Sequence, residues 1–259
     1  MPGLEAVGVS QGFSRGRRGA TKRWVQVLNG ASFDVQPGEV VAIVGSRLSG
    51  KTTLLSCVAG QKTPEAGSVV LGRVELSRLS ERKRAKLRQD GLVWVNRAGM
   101  SQKLQVTKIV GWPLVTRRCG CRETERRAAE MLERVGAAHC ARQRWDDLSR
   151  WEQVLVGLAQ GFALRQPLMV VFDDLLDALG EPWTRQASEL LRSLVEDAVR
   201  SCGVVMSVSD KDSSLYADRV WVLENGSLIP TSGHRNRHAE VVPLRPGQES
   251  GGSRRVGWS

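Results

Sequence analysis

Short apolar runs of strand length alternate along the chain with segments whose apolar positions recur at helical spacing. The longest uninterrupted runs are Val40 to Val44 and Leu168 to Phe172, and a third run extends from Val204 to Val208. Such runs, apolar on both faces, are typical of parallel strands covered by helices. An amphipathic helix precedes the third run, and its apolar face carries Leu190, Leu191, Leu194 and Ala198. Strands that alternate with helices predict an α/β core.

The segment from 79 to 145 has a different pattern, because it is charged and helical. Basic residues dominate Arg82 to Arg88, and Glu123 to Val135 carries an apolar stripe that ends at Gly136. The stripe consists of Ala128, Met131, Leu132 and Val135. Apolar residues at this spacing define the buried face of a surface helix, and glycine is common just beyond a helix end. The pattern predicts a helical lobe inserted into the α/β core.

The last patterned segment is a predicted β-hairpin. Val220 to Leu223 form a short strand that leads into Asn225-Gly226, a pair that readily adopts the positive φ angles of a tight turn. Beyond Pro230 the chain is polar and rich in Gly, Ser and Arg, with too few apolar residues to pack. The sequence therefore predicts one domain over residues 1–229 and a disordered basic tail over residues 230–259.

Length and composition agree with a globular protein. The chain has 259 residues, of which 41% are apolar, and this is enough for a sizeable buried core. Its apolar runs fall far short of the roughly 18 residues that span a bilayer. The first five residues lack the basic and apolar regions of a secretory signal. We therefore expect a cytoplasmic protein that crosses no membrane by itself.

Charge and cysteine content change this picture little. A net charge of +11 suits nucleic acid or an anionic membrane surface, but the arginines are spread over helical segments and the tail without interleaved aromatics. We therefore consider nucleic acid an unlikely partner. Cys119 and Cys121 resemble half of a metal site, but no second Cys/His pair lies near them. The five cysteines are expected to be reduced thiols, namely Cys57, Cys119, Cys121, Cys140 and Cys202.

A phosphate-binding pattern follows the first apolar run directly. Residues 45–52 match G-x-x-x-x-G-K-[ST], in which the glycines let the backbone N–H groups curl around phosphates at the start of a helix. Lys51 is expected to reach the β- and γ-phosphates of ATP, and the Thr52 hydroxyl is expected to ligate Mg²⁺. A glycine-rich turn that only caps a helix is the alternative. The candidate nucleotide-binding residues of this loop are Gly45, Ser46, Arg47, Leu48, Ser49, Gly50, Lys51, Thr52 and Thr53.

Two aspartates follow the second apolar run. Asp173 stands at the end of that run, where nucleotide-hydrolysing enzymes with this loop place the carboxylate that holds the magnesium shell. Thr52 and Asp173 are therefore the candidate metal-binding residues. Asp174 comes next along the chain. The alternative is a pair of aspartates that only begins a turn.

From Leu4 to Leu228 the chain resembles an ATP-binding subunit of an ABC transporter, close to the lipoprotein-release and macrolide-export group. Blocks occur in the family's order, from Pro37-Gly38-Glu39 through Leu148 to Gln153, at the LSGGE/Q signature, to the stretch Ala217 to Val220 before the last hairpin. Phe13 stands where the family stacks an aromatic ring on adenine. The resemblance implies a P-loop core with a mixed sheet, an N-terminal antiparallel β part, and a helical subdomain over about 79–150.

Several positions depart from the family pattern. Arg47 and Leu48 replace the usual Ser-Gly in the phosphate-binding loop, where a side chain crowds the phosphates. Asn96 stands in place of the glutamine that senses magnesium and the permease. Arg150 and Trp151 replace the two signature glycines, which in the family press against the γ-phosphate on the partner subunit.

Further departures affect the hydrolytic groups. Asp174 replaces the catalytic glutamate that positions the attacking water, and it is one methylene shorter. Gly180 stands in place of the aspartate of the loop that crosses the dimer. Ser209, before Asp210, replaces the switch histidine. Because binding groups and catalytic groups can be lost separately, we expect ATP binding with slow hydrolysis, in which Asp174 is the catalytic candidate.

The resemblance implies a head-to-tail dimer, with an identical or a homologous cassette, that acts on a separate membrane permease. The protein would then lie at the inner face of the cell membrane and use ATP and Mg²⁺. Two other hypotheses remain. The chain is a pseudo-ATPase that binds nucleotide and regulates a partner, or it is a nucleic-acid-associated ATPase, for which it lacks a second cassette and a long coiled-coil insertion.

Overall fold

The computed structural model describes residues 3–15, 23–97, 103–177, 179–180, 183–198, 202–209 and 217–231. Asp210 and residues 232–259 of the predicted tail lie outside these ranges. The described strands are β1 (Leu4–Arg15), β2 (Arg23–Val35), β3 (Val40–Val44), β4 (Ala66–Leu71), β5 (Val74–Glu75), β6 (Leu92–Asn96), β7 (Met169–Asp173), β8 (Gly203–Val208), β9 (Arg219–Glu224) and β10 (Ser227–Pro230). The helices are α1 (Lys51–Val58), α2 (Glu81–Asp90), α3 (Val106–Thr116), α4 (Cys121–Arg134), α5 (Arg150–Gly161) and α6 (Trp183–Asp197).

A six-stranded sheet forms the centre of the fold, in the order β10-β9-β3-β8-β7-β6. Strand β3 pairs in parallel with both β8 and β9, and β7 pairs in parallel with β6 and β8. All five residues of β3 are buried, as are those of β7. This confirms the strands expected from the apolar runs. Leu168 remains 42% exposed, and the second strand begins one residue later, at Met169.

The two faces of this sheet are covered differently. On one face, Val41 and Ile43 pack with α1 and with a four-stranded antiparallel sheet of order β2-β1-β4-β5. On the other face, Val40, Ala42 and Val44 join a larger core that includes residues of α3, α4, α5 and α6. Because successive side chains of a strand point to opposite faces, each residue of β3 contributes to one of two separate cores. The mixed α/β fold and its antiparallel part are as expected.

The charged segment folds into helices, with one strand among them. The apolar stripe of α4 is buried, and Gly136 beyond its end has a φ of 76°. A glycine just past the last turn adopts this left-handed conformation without steric cost. Strand β6 lies inside the range 79–150 but pairs with β7, so it belongs to the central sheet. The helical lobe is therefore formed by α3, α4 and the beginning of α5.

The C-terminal hairpin matches its prediction. β9 and β10 pair in antiparallel fashion around Asn225 and Gly226, whose φ angles are 49° and 79°. The hairpin also connects the two sheets, since the Asn29 N–H donates to the Gly226 carbonyl at 2.7 Å. Within the part of the chain that the structure describes, no helix combines the length and apolarity needed to cross a membrane.

Candidate nucleotide-binding site

The loop between β3 and α1 has the tight geometry that its glycines predict. Gly50 precedes the helix with a φ of 106°, a conformation that residues with a Cβ rarely adopt. A Cβ on Gly45 would lie 2.6 Å from the Ser49 Oγ, so this position has no room for a side chain. The first turn of α1 carries no acidic residue. Its free N–H groups therefore form an electropositive end that favours an anion.

Lys51 is held at the centre of this loop. Its side chain is largely buried, and its Nζ donates to the Gly45 carbonyl at 2.6 Å and to the Ser46 carbonyl at 3.2 Å. A third, longer contact of 3.5 Å joins Nζ to the Ser209 Oγ. A buried ammonium group is costly unless hydrogen bonds or negative charge compensate it. The loop thus positions one positive charge beside the helix N-terminus.

Two adjoining cavities surround the loop, with volumes of about 650 and 880 Å³. Nine of the ten predicted nucleotide-binding residues line one or both of them, from Gly45 to Thr53 without a gap. The first cavity also contacts Arg97, Asp174, Asp177 and Ser209, and the second extends along β2 and the C-terminal hairpin. The structure therefore gathers the phosphate-loop residues around one concave surface.

Phe13, the tenth predicted residue, lies in neither cavity lining. Its ring is 41% exposed in β1, and the Lys62 ammonium group lies 3.7 Å from the ring centroid. A cation over the face of an aromatic ring is attracted by the negative π density of that face. One face of Phe13 is thus taken by Lys62, and adenine stacking on this residue stays a prediction.

Leu48 lines both cavities around the loop. Its side chain is 96% exposed, and its φ of 68° is unusual for a residue with a bulky side chain. The family's glycine at this position adopts such an angle without strain. The substitution therefore carries a backbone cost, and crowding of the phosphates by the side chain stays a prediction.

An oxygen-rich cluster lies at the end of β7. The Thr52 Oγ1 donates to the Asp173 Oδ1 at 3.2 Å, and the Ser207 Oγ donates to the same oxygen at 2.9 Å. The Asn96 Nδ2 donates to the Asp173 Oδ2 at 3.2 Å, as the pairing of Asn96 with Asp173 across β6 and β7 permits. Burial raises the pKa of the Asp173 carboxyl group, and the nearby Asp174 charge adds to this effect. A cation at this point would relieve the cost of the buried carboxylate.

Asp174 lies beside this cluster with a left-handed backbone, φ 54°. Its N–H donates to the Ser207 Oγ at 2.9 Å, and the Ser207 Oγ lies 3.3 Å from the Asp174 Oδ1. Burial and the charge of Asp177 raise the pKa of the Asp174 carboxyl group. The side chain lines the first cavity, which is where a residue that orients the attacking water must lie.

Two residues of this cluster, Ser207 and Asp177, were not predicted from the sequence. Ser207 on β8 contacts both aspartates. Asp177 accepts hydrogen bonds from the Ser209 N–H at 2.8 Å and the Ser209 Oγ at 2.6 Å. The only signal for Ser207 was a polar residue inside the third apolar run, and the signal for Asp177 was a third acidic residue after β7.

Arg150 turns back toward the turn that follows β7. Its Nη2 donates to the carbonyls of Asp174 at 3.2 Å, Leu175 at 2.5 Å and Asp177 at 2.8 Å, and its Nε donates to the Asp177 carbonyl at 3.3 Å. Burial, followed by repulsion from Arg97, lowers the pKa of the Arg150 guanidinium group to about 10. The Arg150 side chain thus connects α5 to the acidic turn of its own chain.

The rest of the signature segment begins α5 with a complete cap. The Ser149 Oγ accepts from the Glu152 N–H, and the Glu152 carboxylate accepts from the Ser149 N–H. Such a reciprocal pair satisfies two N–H groups that the first turn of a helix leaves free. Hydrogen bonds from Ser149 lower the pKa of Glu152 to about 2.

Trp151 is partly buried against the larger core. Gly180 has a φ of 68°, and its carbonyl accepts from the Thr184 N–H at 3.1 Å.

Comparison with known proteins identifies the class of this fold and site. The ABC transporter family model matches residues 28–176. The lipoprotein-releasing system ATP-binding protein LolD of Pseudomonas syringae pv. tomato is 34% identical over 79% of this chain and 89% of its own length. The chain therefore belongs to the ABC transporter ATP-binding family.

Two further likenesses agree with this membership. An uncharacterized ABC transporter ATP-binding protein of Mycobacterium tuberculosis is 30% identical over 85% of this chain and 88% of its own length. Among solved structures, the dimeric bacterial ABC transporter cassette MJ0796 superposes with a TM-score of 0.76 at 23% identity, over 87% of this chain and 96% of that one. At this identity the superposition supports the fold alone, and the fold is that of an ABC cassette.

Proposed function

We propose that this chain is an ATP-binding subunit that dimerises on ATP and drives or regulates a separate membrane permease, with slow hydrolysis. Two contacts beside an altered signature segment carry the proposal. The Lys51 ammonium group donates to the Gly45 carbonyl, and the Thr52 hydroxyl donates to the Asp173 carboxylate. These contacts support a chain that keeps its phosphate- and metal-binding groups and has altered groups for hydrolysis.

The described residues fit a nucleotide phosphate group and a magnesium ion. The glycine loop and the N-terminal N–H groups of α1 favour an anion, and Lys51 adds a positive charge. The Thr52 hydroxyl and the Asp173 carboxylate are oxygen donors, the ligand type that Mg²⁺ prefers. When bound, magnesium supplies charge neutralisation at the phosphates. We propose that Gly45 to Thr53 hold the phosphates and that Thr52 and Asp173 hold the metal.

Slow hydrolysis follows from the groups near Asp174. Its carboxylate is one methylene shorter than the family's glutamate, and it contacts Ser207. Ser209 stands in place of the histidine, and its hydroxyl donates to Asp177. A hydroxyl group cannot carry the positive charge that a protonated imidazole supplies near the γ-phosphate. Phosphoryl transfer relies on positioning and charge stabilisation, so we expect turnover that is slower by a few orders of magnitude.

The proposals of a dimer and of a permease partner rest on the family relationship. Several relatives are named as ATP-binding proteins of transport systems, and MJ0796 was solved as a dimer. We propose a head-to-tail cassette dimer, peripheral to the inner face of the cell membrane, in which Ser149 and the α5 N-terminus contact the partner's nucleotide. Because Arg150 folds back onto its own chain, it would contribute less to that contact than an extended side chain would.

A second candidate function is a pseudo-ATPase that binds ATP and regulates a partner without rapid turnover. The specific observation in its favour is the set of Arg150 hydrogen bonds to the turn after β7. Such bonds hold the segment that carries Asp174 and Asp177, which in a working motor must rearrange between nucleotide states. Both candidates require ATP binding, and they differ in turnover.

The test is ATP binding and steady-state hydrolysis by the purified chain, with and without Mg²⁺, beside Lys51→Ala as the background control. Binding with turnover that Lys51→Ala abolishes supports the slow motor. Binding without turnover supports the pseudo-ATPase, and Asp174→Glu then shows whether the shorter carboxylate is responsible. Absence of ATP binding would overturn both candidates. Light scattering with ATP reports the dimer separately.

A further inference from the structure

Three side chains of metal-binding type meet beside the first turn of α5, outside the nucleotide site. His139 and Cys140 lie in the short 3₁₀ helix Ala138–Cys140, and Glu152 is the third residue of α5. The His139 Nε2 lies 2.9 Å from the Glu152 Oε1, and the Cys140 Sγ lies 3.5 Å from the same oxygen. One ligand atom from each residue falls within 4.8 Å of the other two.

The Glu152 carboxylate divides its two oxygens between two tasks. Its Oε2 accepts from the Ser149 N–H and the Ser149 Oγ, both at 2.7 Å, and this completes the cap of α5. Its Oε1 faces His139 and Cys140. A cation bound to Oε1 would therefore leave the helix cap intact. The cluster differs from a surface ion pair because it also contains a buried thiol, that of Cys140.

The distances between the three ligand atoms suit a tetrahedrally coordinated metal ion after a small movement of the imidazole ring. Ligand bonds of about 2.0 to 2.3 Å at tetrahedral angles place sulfur, nitrogen and oxygen ligands roughly 3.4 to 3.6 Å apart. The separation of Cys140 Sγ and Glu152 Oε1 already has this value. The imidazole must retreat by about half an ångström, and it is free to do so because the His139 side chain is 60% exposed. The exposed ring also leaves a path for an ion to enter.

We infer that His139, Cys140 and Glu152 bind one Zn²⁺ ion, with water in the fourth position. Imidazole, thiolate and carboxylate together are a ligand set that zinc accepts and that magnesium does not prefer. As the zinc–sulfur bond forms, the Cys140 thiol releases its proton to solvent. The ion links the turn before the signature segment to the first turn of α5. This inference is independent of ATP turnover.

The test is a Co²⁺ titration of the purified full-length chain, in a buffer with a phosphine reductant and no competing thiol. Cobalt replaces zinc in such sites, and a thiolate ligand gives it an intense charge-transfer absorption band. We expect one equivalent to produce this band and Zn²⁺ to remove it. Among the described residues, Cys119 and Cys121 belong to no group of three metal ligands. The variant Cys119→Ser/Cys121→Ser is therefore the matched control and keeps the band.

The ligand variants make the assignment specific. Cys140→Ser loses the band, and His139→Ala weakens Co²⁺ binding by at least about 10-fold. Because Cys140 is buried and its replacement can unfold the chain, Glu152→Gln provides a second measurement. Glutamine keeps the helix cap, so this variant stays folded, yet its Tm no longer rises with added Zn²⁺. No band in the wild type, or a band that depends on Cys119 and Cys121, would overturn the inference.

Discussion

The phosphate-binding loop and the signature segment differ in how their side chains are used. In residues 45–53, Lys51 and Thr52 line a concave surface, and their internal hydrogen bonds hold them at its wall. In residues 148–153, Arg150 points into its own chain, and Ser149 caps its own helix. One segment lines an open cavity, and the other is held by contacts within its own chain. The difference teaches that two segments of one fold can keep and lose an open binding surface separately.

Removal of the loop lysine should produce the largest effect. Lys51→Ala deletes the only positive side chain that contacts the loop carbonyls among the described residues, so ATP affinity should fall about 100-fold, as expected for losing charge-assisted hydrogen bonds. Isothermal titration calorimetry measures this change. Lys83→Ala, an exposed lysine of α2, is the control and should leave affinity unchanged. Equal affinity in the two variants would show that the loop does not hold the phosphates.

The second prediction concerns the internal contacts of the signature segment. Arg150→Ala removes the donors to three carbonyls of the turn after β7, and the free energy of unfolding should fall by about 2 kcal/mol. Urea denaturation measures this loss, with the exposed Arg142→Ala as control. Amide hydrogen exchange should rise at residues 174–177 and stay constant at residues 45–53. Faster exchange in both segments would mean that the two are coupled after all.

A smaller effect is expected at the helix cap. Ser149→Ala removes the side-chain acceptor for the Glu152 N–H, at a cost of about 1 kcal/mol. Thermal unfolding should show a lower Tm. Ser149→Thr should keep the wild-type Tm, since its hydroxyl also accepts from the Glu152 N–H and donates to the Glu152 carboxylate. If Ser149→Ala leaves the Tm unchanged, the capping pair contributes little and the signature segment is held by Arg150 alone.

The smallest expected change is a gain in stability. Asp174→Asn removes a carboxylate whose pKa is raised by burial and by Asp177, and asparagine tolerates the left-handed backbone at this position. In EDTA and without nucleotide, unfolding should cost about 0.5 to 1 kcal/mol more than in the wild type. Urea denaturation measures it, and the exposed Asp146→Asn serves as control. A loss of stability would indicate that the Asp174–Ser207 contact matters more than the repulsion.

The contrast also explains which features could be predicted from sequence. The strand, loop and helix around Lys51 are encoded by consecutive residues, so periodicity and spacing were sufficient. Thr52 was predicted from the loop pattern, and Asp173 was predicted from its place at the end of a buried strand. The direction of Arg150 could not be predicted, since it depends on how closely α5 approaches the turn after β7. A Cβ on Gly157 would lie 2.4 Å from Leu175, which shows how tight that approach is.

Phe13 illustrates a different limit. Its position in the family pattern indicated an adenine contact, and the pattern contains no information about Lys62, which lies over the ring. Asp177 was missed because nothing in its local sequence indicates that Ser209, which follows β8 much later in the chain, would contact it. Residues that meet only through tertiary pairing leave no periodic signal along the chain.

The position of β3 in the sheet has a consequence for how the protein is made. This strand leads directly into the phosphate loop. Both of its neighbours in the sheet come much later in the chain, β8 at residues 203–208 and β9 at residues 219–224. A nascent chain that has emerged only through the signature segment therefore holds β3 without a partner, and its apolar faces must be shielded until β8 and β9 have been synthesised. The strand that positions the phosphate loop thus takes its place in the sheet only after residues 203–224 have joined it.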